Sequence, residues 1–317
     1  MRGNGEVENG SLKDPKTEKR GDHEMKVIDF HSHYATKDHS LYSRTPLEEI
    51  ELAEKQYGFK KGELNRTRTE EEMIQDLRKS NVKAAFDIGF TMGIPLEEVK
   101  RLHDYTFHLH KTYPDVILGT WATINPETGL KGLRELERGF ADGGIIGFGT
   151  MGTAVNMPPS DKLFYPFYEL CIEAKRPALI MVGYTGWGSG VPGGQGFLLE
   201  YDHPRYLEEV AAKFPDLVII SGRPAWPWQS EIIAIMRHKT NIWAEFHGWS
   251  PKYFTDELKH WIGHQLQDRV LFGADYPMYL YERLFRDWEL LGYSKDILEK
   301  IYYRNGKKLL EGLGIAV

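Results

Sequence analysis

The chain has 317 residues, 41% hydrophobic and 27% charged, with a net charge of −6, the balance of a globular protein with one large core. No basic cluster points to nucleic acid as the main partner, no apolar run approaches the roughly 18 residues of a membrane span, and no secretory leader is visible. The single Cys171 cannot close an internal bridge, which excludes a disulfide-built scaffold and fits a reduced, cytoplasmic setting.

Residues 1–25 mix Gly, Lys, Glu and Asp with almost nothing apolar, so they cannot offset the entropy of ordering and are expected to form a disordered tail. The fold is expected over 26–317 as one domain. Its first strand is K-V-I-D-F-H-S-H, ending on His31 and His33, which alternation puts on one face. Two neutral imidazoles side by side make half of a site for zinc or a similar divalent ion. A polar insertion rich in charge and aromatics follows over 34–68, placed to act as a lid.

From residue 70 the pattern becomes regular. T-E-E-E-M-I-Q-D-L-R-K-S reads as a helix with Thr69 as N-cap and acidic residues in its first turn, where the macrodipole favours them. Strand V-K-A-A-F-D-I-G-F, helix 96–112, strand V-I-L-G-T-W-A-T-I, helix 130–141, strand I-I-G-F-G, helix 163–174 and strand P-A-L-I-M-V come next. After a glycine-rich loop the alternation resumes with helix 204–213, strand L-V-I-I-S, helix 229–238, strand N-I-W-A-E-F, helix 255–266 and strand R-V-L-F-G-A-D, before a helical end over 282–313. Eight short apolar strands alternating with helices predict an α/β fold, a closed (β/α)8 TIM-type barrel. No glycine-rich phosphate fingerprint follows the first strand, which weakens a dinucleotide reading.

In such a barrel the site lies at the C-terminal ends of the strands. Strand eight ends on Asp275, across the mouth from His31 and His33, where a carboxylate can bind a metal or take a proton from metal-bound water. On strand seven, Glu245 and His247 are two apart and share a face. Glu245 is expected to complete a metal shell of two imidazoles and two carboxylates, with His247 as general acid or base. The structural alternative pairs Glu245 with Arg223. Arg223, after strand six, presents a rigid, permanently charged fork suited to an anionic substrate. Tyr184 and Trp187 in the glycine-rich loop 183–196, with Trp226, Trp228 and Trp249 after neighbouring strands, are candidate pocket walls for a flat or apolar substrate, and N-M-P-P over 156–159 is expected to shape the same rim.

These pieces carry a resemblance. V-I-D-F-H-S-H, A-K-R-P-A-L-I-M-V-G-Y-T-G-W-G, F-P-D-L-V-I-I-S-G-R-P-A-W-P-W, H-G-W-S-P-K-Y-F, L-F-G-A-D-Y-P and Y-Y-R-N-G-K-K-L-L resemble, in order and context, the amidohydrolase-related family, the branch similar to aminocarboxymuconate-semialdehyde decarboxylase. The resemblance implies a (β/α)8 barrel with a divalent metal, zinc or manganese, held by His31, His33 and Asp275. It also implies histidines ending strands five and six, where this sequence has Met181 and Arg223.

The function expected is metal-dependent hydrolysis of a small cyclic or aromatic carboxylated compound, a lactone, an amide or a ring-fission product, with Asp275 shuttling the proton and Arg223 anchoring a carboxylate. A variant has no metal, with His31, His33 and Arg223 polarising the carbonyl directly. The alternatives are a nonoxidative decarboxylase of an aromatic or enol carboxylate and, from another class, a noncatalytic ligand-binding barrel. The exposed helices and the insertion are compatible with a homodimer.

Overall fold

The computed structural model describes residues 25–89 and 91–317; the tail expected over 1–25 lies, but for its last residue, outside the described residues. Eight parallel strands run β1 Val27–His33, β2 Val82–Asp87, β3 Ile117–Ala122, β4 Ile145–Thr150, β5 Ala178–Met181, β6 Ile219–Gly222, β7 Ile242–Glu245 and β8 Val270–Leu271, each paired with the next in sequence. The sheet closes on itself: Phe30 donates to the Phe272 carbonyl at 2.9 Å, Asp275 to that of His31 at 2.8 Å, and His33 to that of Tyr276 at 2.7 Å. This is the (β/α)8 barrel that the alternation of strands and helices predicts.

The strands carry apolar side chains on both faces because both are covered. Ile28, Phe30, Ala85, Leu118, Trp121, Ile146, Leu179, Ile220 and Leu271 form the inner layer, while Val27, Ala84, Phe86, Ile117, Phe148 and Ile180 face the helices. Strict alternation would carry the parity of Val27 and Asp29 on to His31 and His33 and turn both away from the axis. The register with β2 shifts between Asp29 and Ser32, and that irregularity rephases the strand, so both histidines reach the cavity. Trp121 fills the barrel beneath them and donates its indole N–H to the Phe30 carbonyl at 2.8 Å.

Thr69 caps the helix Glu70–Lys79 in a reciprocal capping box with Glu72, as the sequence predicts. Four elements differ from expectation, the first being the eighth strand, expected over 269–275 and observed over Val270–Leu271. The insertion contains an α-helix, Leu47–Tyr57, ended by Gly58 at φ 74°; its Ile50 and Ala53 pack with Leu64, Tyr42, Tyr57 and Phe59 into a small core of their own. Helix 255–266 shortens to Asp256–Ile262, with Thr255 as its N-cap. The helical end divides into Tyr281–Glu289, Lys295–Glu299 and Asn305–Gly312, the last two joined by a wide turn over Lys300–Arg304. Asn305 fastens this end to the barrel by donating to the carbonyls of Gln267 and Val270 at 2.7 and 2.8 Å.

Candidate active site

A cavity of about 560 Å³ opens at the C-terminal ends of the strands. It brings together His31, His33, Arg223, His247, Asp275 and Met181 with Tyr184, Trp187, Trp226 and Trp249. The insertion supplies Tyr42, Tyr57 and Phe59 to the same wall, so it covers the mouth as a lid would. Two expected rim features lie elsewhere. Trp228 packs on His203, ring centroids 4.5 Å apart, and 156–159 contributes nothing to the lining, where Thr150, Met151 and Ala154 stand instead.

At the floor, His33 donates from Nδ1 to the Asp87 carbonyl at 2.9 Å, which turns Nε2 toward Asp275 Oδ1 at 2.8 Å. Burial would lower the His33 pKa, but Asp275 and Asp87 outweigh it and raise the value. Burial likewise works to raise Asp275, and the His33 contact brings its carboxyl below the usual range. His31, 1% exposed, is driven the other way: burial, then the neighbouring His247, His33 and Arg223, hold its pKa well below the ordinary value, so the ring stays neutral and one nitrogen keeps its lone pair free. Beneath them Asp29 is fully buried and accepts from the His31 and Ala274 amides and from the Ser32 and Tyr281 hydroxyls. Burial pushes its carboxyl up to about 7 against those bonds. It ties β1 to the segment after β8.

Glu245 takes a different place from the expected fourth metal ligand. It is fully buried and both oxygens serve His247: Oε2 accepts the backbone N–H at 2.8 Å and Oε1 accepts Nδ1–H at 2.6 Å. That bond fixes the ring tautomer and leaves Nε2 for the cavity, while the ring stacks on His31 with centroids 3.5 Å apart. Room for the carboxylate comes from Gly273 in F-G-A-D, where an added Cβ would fall 2.2 Å from Glu245 Oε2.

Arg223 does not pair with Glu245. Its nearest carboxylate is Asp202, with Nη1 and Oδ2 3.9 Å apart, both buried and both without a hydrogen-bond partner. Nη2 meets Met151 Sδ at 3.3 Å. Asp202 also accepts the Thr153 amide at 3.0 Å; burial raises its carboxyl to about 6 against the pull of Arg223. Arg223 and Asp275 both sit at positive φ, 72° and 61°, a conformation non-glycine residues adopt at a cost and one found at functional sites.

Sequence reasoning missed Asp87 and Asp202. Asp87 ends β2 in F-D-I-G much as Asp275 follows β8 in F-G-A-D, so the strand-end rule would have found it. Asp202 lies in the turn Leu199–Asp202 beyond the glycine-rich loop, where nothing local marks it.

Two triads bring one ligand atom from each residue within 4.8 Å of one another: His31, His33 and Asp275, and His31, Glu245 and His247. The first fits a divalent ion of the zinc or manganese type, since His31 Nδ1 is a buried polar atom without a hydrogen-bond partner, His33 Nε2 and Asp275 Oδ1 face each other at 2.8 Å, and two imidazoles with a carboxylate are a suitable donor set. In the second, Glu245 is already committed to His247. Met181 lines the cavity at the end of β5 and supplies no imidazole there.

No curated protein sequence matches significantly. Among solved structures the fold is similar to an uncharacterised TIM-barrel protein of Bordetella bronchiseptica, at 21% identity and TM-score 0.70 over 92% of this chain and 100% of that one. It is also similar to 5-carboxyvanillate decarboxylase of Novosphingobium aromaticivorans, complexed with manganese and a nitrobenzoic acid, at 17% identity and TM-score 0.65 over 91% and 96% of the two chains. A third is 2,6-dihydroxybenzoate decarboxylase of Rhizobium, at 14% identity and TM-score 0.67 over 90% and 99%. At these identities the likeness is one of fold. A family model described as amidohydrolase matches residues 28–312, from the second residue of β1 to the end of the last helix, and the chain therefore belongs to the amidohydrolase family.

Proposed function

We propose that the protein is a nonoxidative decarboxylase, a carbon–carbon lyase, acting on a small aromatic or enol carboxylate. The observation that carries this is Arg223: a buried guanidinium nitrogen without a hydrogen-bond partner, in an aromatic-walled cavity that also holds the His31, His33, Asp275 cluster. A permanent cation with an unused donor, beside aromatic walls, suits a flat anion. The two decarboxylases of the same fold, one with manganese, support the choice of lyase over hydrolase.

A divalent ion held by His31, His33 and Asp275 supplies, when bound, positive charge against a substrate oxyanion. Arg223 grips a non-reacting oxygen of the substrate. Were it to hold the departing carboxylate, it would stabilise the ground state that the reaction must leave. His247, as the imidazolium with Glu245 for its counter-ion, delivers the Nε2 proton to the ring carbon as the carbon–carbon bond breaks, its electron pair falls to that carbon and carbon dioxide leaves. The imidazole is left neutral with its proton on Nδ1, and Glu245 keeps it turned for the transfer. Met181, Met151 and Trp187 wall the ring and exclude water.

Hydrolysis remains the second reading, because His247 Nε2 is equally placed to take a proton from water. The test is turnover of a panel of hydroxybenzoates, enol acids and lactones in D2O. Release of carbon dioxide with one deuterium in the ring supports the lyase. Ring opening with solvent oxygen incorporated and no carbon dioxide supports the hydrolase. Turnover of none of them by manganese-loaded protein overturns both.

A further inference from the structure

Resting on the aromatic-carboxylate function just proposed, we infer that the cavity mouth is a second aromatic subsite and that the substrate is a two-ring acid, a biaryl or fused bicyclic carboxylate. The observation is a chain of six rings around the cavity. Tyr279 lies 6.1 Å from Phe59, Phe59 6.4 Å from Tyr57, Tyr57 6.3 Å from Tyr184, Tyr184 5.7 Å from Trp226, and Trp226 6.0 Å from Trp249, centroid to centroid. These spacings are those of interacting aromatic pairs, and all six residues line the cavity. They come from five separate segments: the insertion and the stretches after β5, β6, β7 and β8. Such convergence is not a by-product of one packed helix face.

Size and exposure carry the inference further. A cavity of about 150 Å³ is enough to hold benzene, and this one is about 560 Å³. A single ring at the histidine cluster leaves most of that volume unfilled. Trp226 is 45% exposed, so the collar keeps apolar area in water that a second ring would cover. The polar groups His31, His33, Asp275 and Arg223 stand at or just after the strand ends and the rings come from the insertion and the loops beyond, where the charged Glu63 and Arg283 also line the cavity. A ligand matching both ends has its carboxylate on one ring and an apolar ring beyond it.

The test is calorimetric titration of the full-length, manganese-loaded chain with 2-hydroxybenzoate, with its 4-phenyl derivative and with neutral 3-phenylphenol, the same two rings without the carboxylate. The two-ring acid is expected to bind at least about tenfold tighter than the one-ring acid, by the gain from covering a second ring. That ratio is expected to fall toward unity in Trp226→Ala and in Trp249→Leu, each checked for an unchanged thermal transition. Equal affinities of the two acids, or a ratio that persists in both variants, overturn the second subsite while leaving the proposed decarboxylase standing. If 3-phenylphenol binds as tightly as its acid, the subsite stands and the carboxylate function falls. Binding of none of the three overturns both.

Discussion

Replacing Glu245 by Gln tests the proton-transfer assignment at a single atom. The carboxylate accepts two hydrogen bonds from His247, from the backbone N–H at 2.8 Å and from Nδ1–H at 2.6 Å. The backbone amide can only donate, so the Gln carbonyl oxygen must face it and the NH2 must face the ring. Nδ1 then becomes an acceptor and the neutral ring carries its proton on Nε2, with no counter-charge behind it. Losing one hydrogen bond to a charged group costs about 1.5–3 kcal/mol, and about 1.4 kcal/mol is tenfold in rate. The variant should therefore lose about 10- to 100-fold in kcat from this bond, rising toward the 10²–10⁴ of general acid–base catalysis if the ring, facing an amide N–H at Nδ1, no longer forms the imidazolium that donates. KM should change little, since Arg223 and the aromatic wall are untouched. Steady-state kinetics with elemental analysis is the assay. Metal content should match that of the wild type. A kcat within about threefold of wild type would refute the role of His247, and loss of the metal with retained fold would return Glu245 to the metal shell.

Other outcomes are expected from the same geometry. Asp275→Asn should weaken metal binding by more than the roughly 10–100-fold typical of outer-shell changes, read by competition with a chromophoric chelator, because it removes one of three ligands; unchanged affinity would move the site to the second triad. Gly273→Ala should destabilise the protein by about 1–3 kcal/mol in denaturant unfolding and lower kcat with it, since the new methyl would meet Glu245 Oε2; a silent substitution would mean the carboxylate has room to move. On the opposite side of the molecule, Glu135 is buried and accepts from His103 at 2.6 Å and from Arg138 at 2.8 and 2.9 Å. Burial works to raise its pKa, and these bonds bring it from 4.5 down to about 2. Because the folded value is the lower, its contribution of about 2 kcal/mol, allowing for screening of the half-exposed Arg138, is fully present above pH 4.5 and lost as pH falls toward 2. Glu135→Gln should flatten that part of the acid unfolding curve; an unchanged curve would show that the pair adds nothing.

The barrel could be read from the sequence because each strand is short, apolar on both faces and followed by a helical repeat, a pattern with few structural solutions. The strand-end rule then placed His31, His33, Arg223, His247 and Asp275 at the cavity, together with Tyr184, Trp187 and Trp226. The insertion helix Leu47–Tyr57 was not legible, since Leu47 and Leu52 are exposed and the residues that hold the helix, Leu64 and Phe59, follow it in the chain. Asp202 was hidden for a related reason: its partners Thr153 and Arg223 are 49 and 21 positions away. Glu245 was found, but its spacing from His247 equally permits a shared metal or an internal hydrogen bond; the coordinates add the hydrogen bond and keep Glu245 with His31 and His247 in a group able to hold an ion.

The departures at β5 and β6 fit together once the roles are separated. A histidine ending β6 could donate a proton to substrate; Arg223 at that position keeps its proton at any working pH and can serve only as an anion anchor. Proton transfer must then come from another group facing the cavity. Among the described residues the imidazoles lining it are His31, His33 and His247. His33 is engaged by Asp87 and Asp275 at its two nitrogens, and His31 belongs with it to the metal-ligand triad. His247 is left, and its carboxylate partner lies two residues back at the end of β7, held to it by two hydrogen bonds. The dyad is therefore encoded within three residues, Glu245 at the end of β7 and His247 in the turn that follows, and needs no distant segment to assemble it. In the proposed reaction the absence of a β6 histidine is offset without any change to the barrel: Arg223, after β6, holds the anion and His247, after β7, moves the proton.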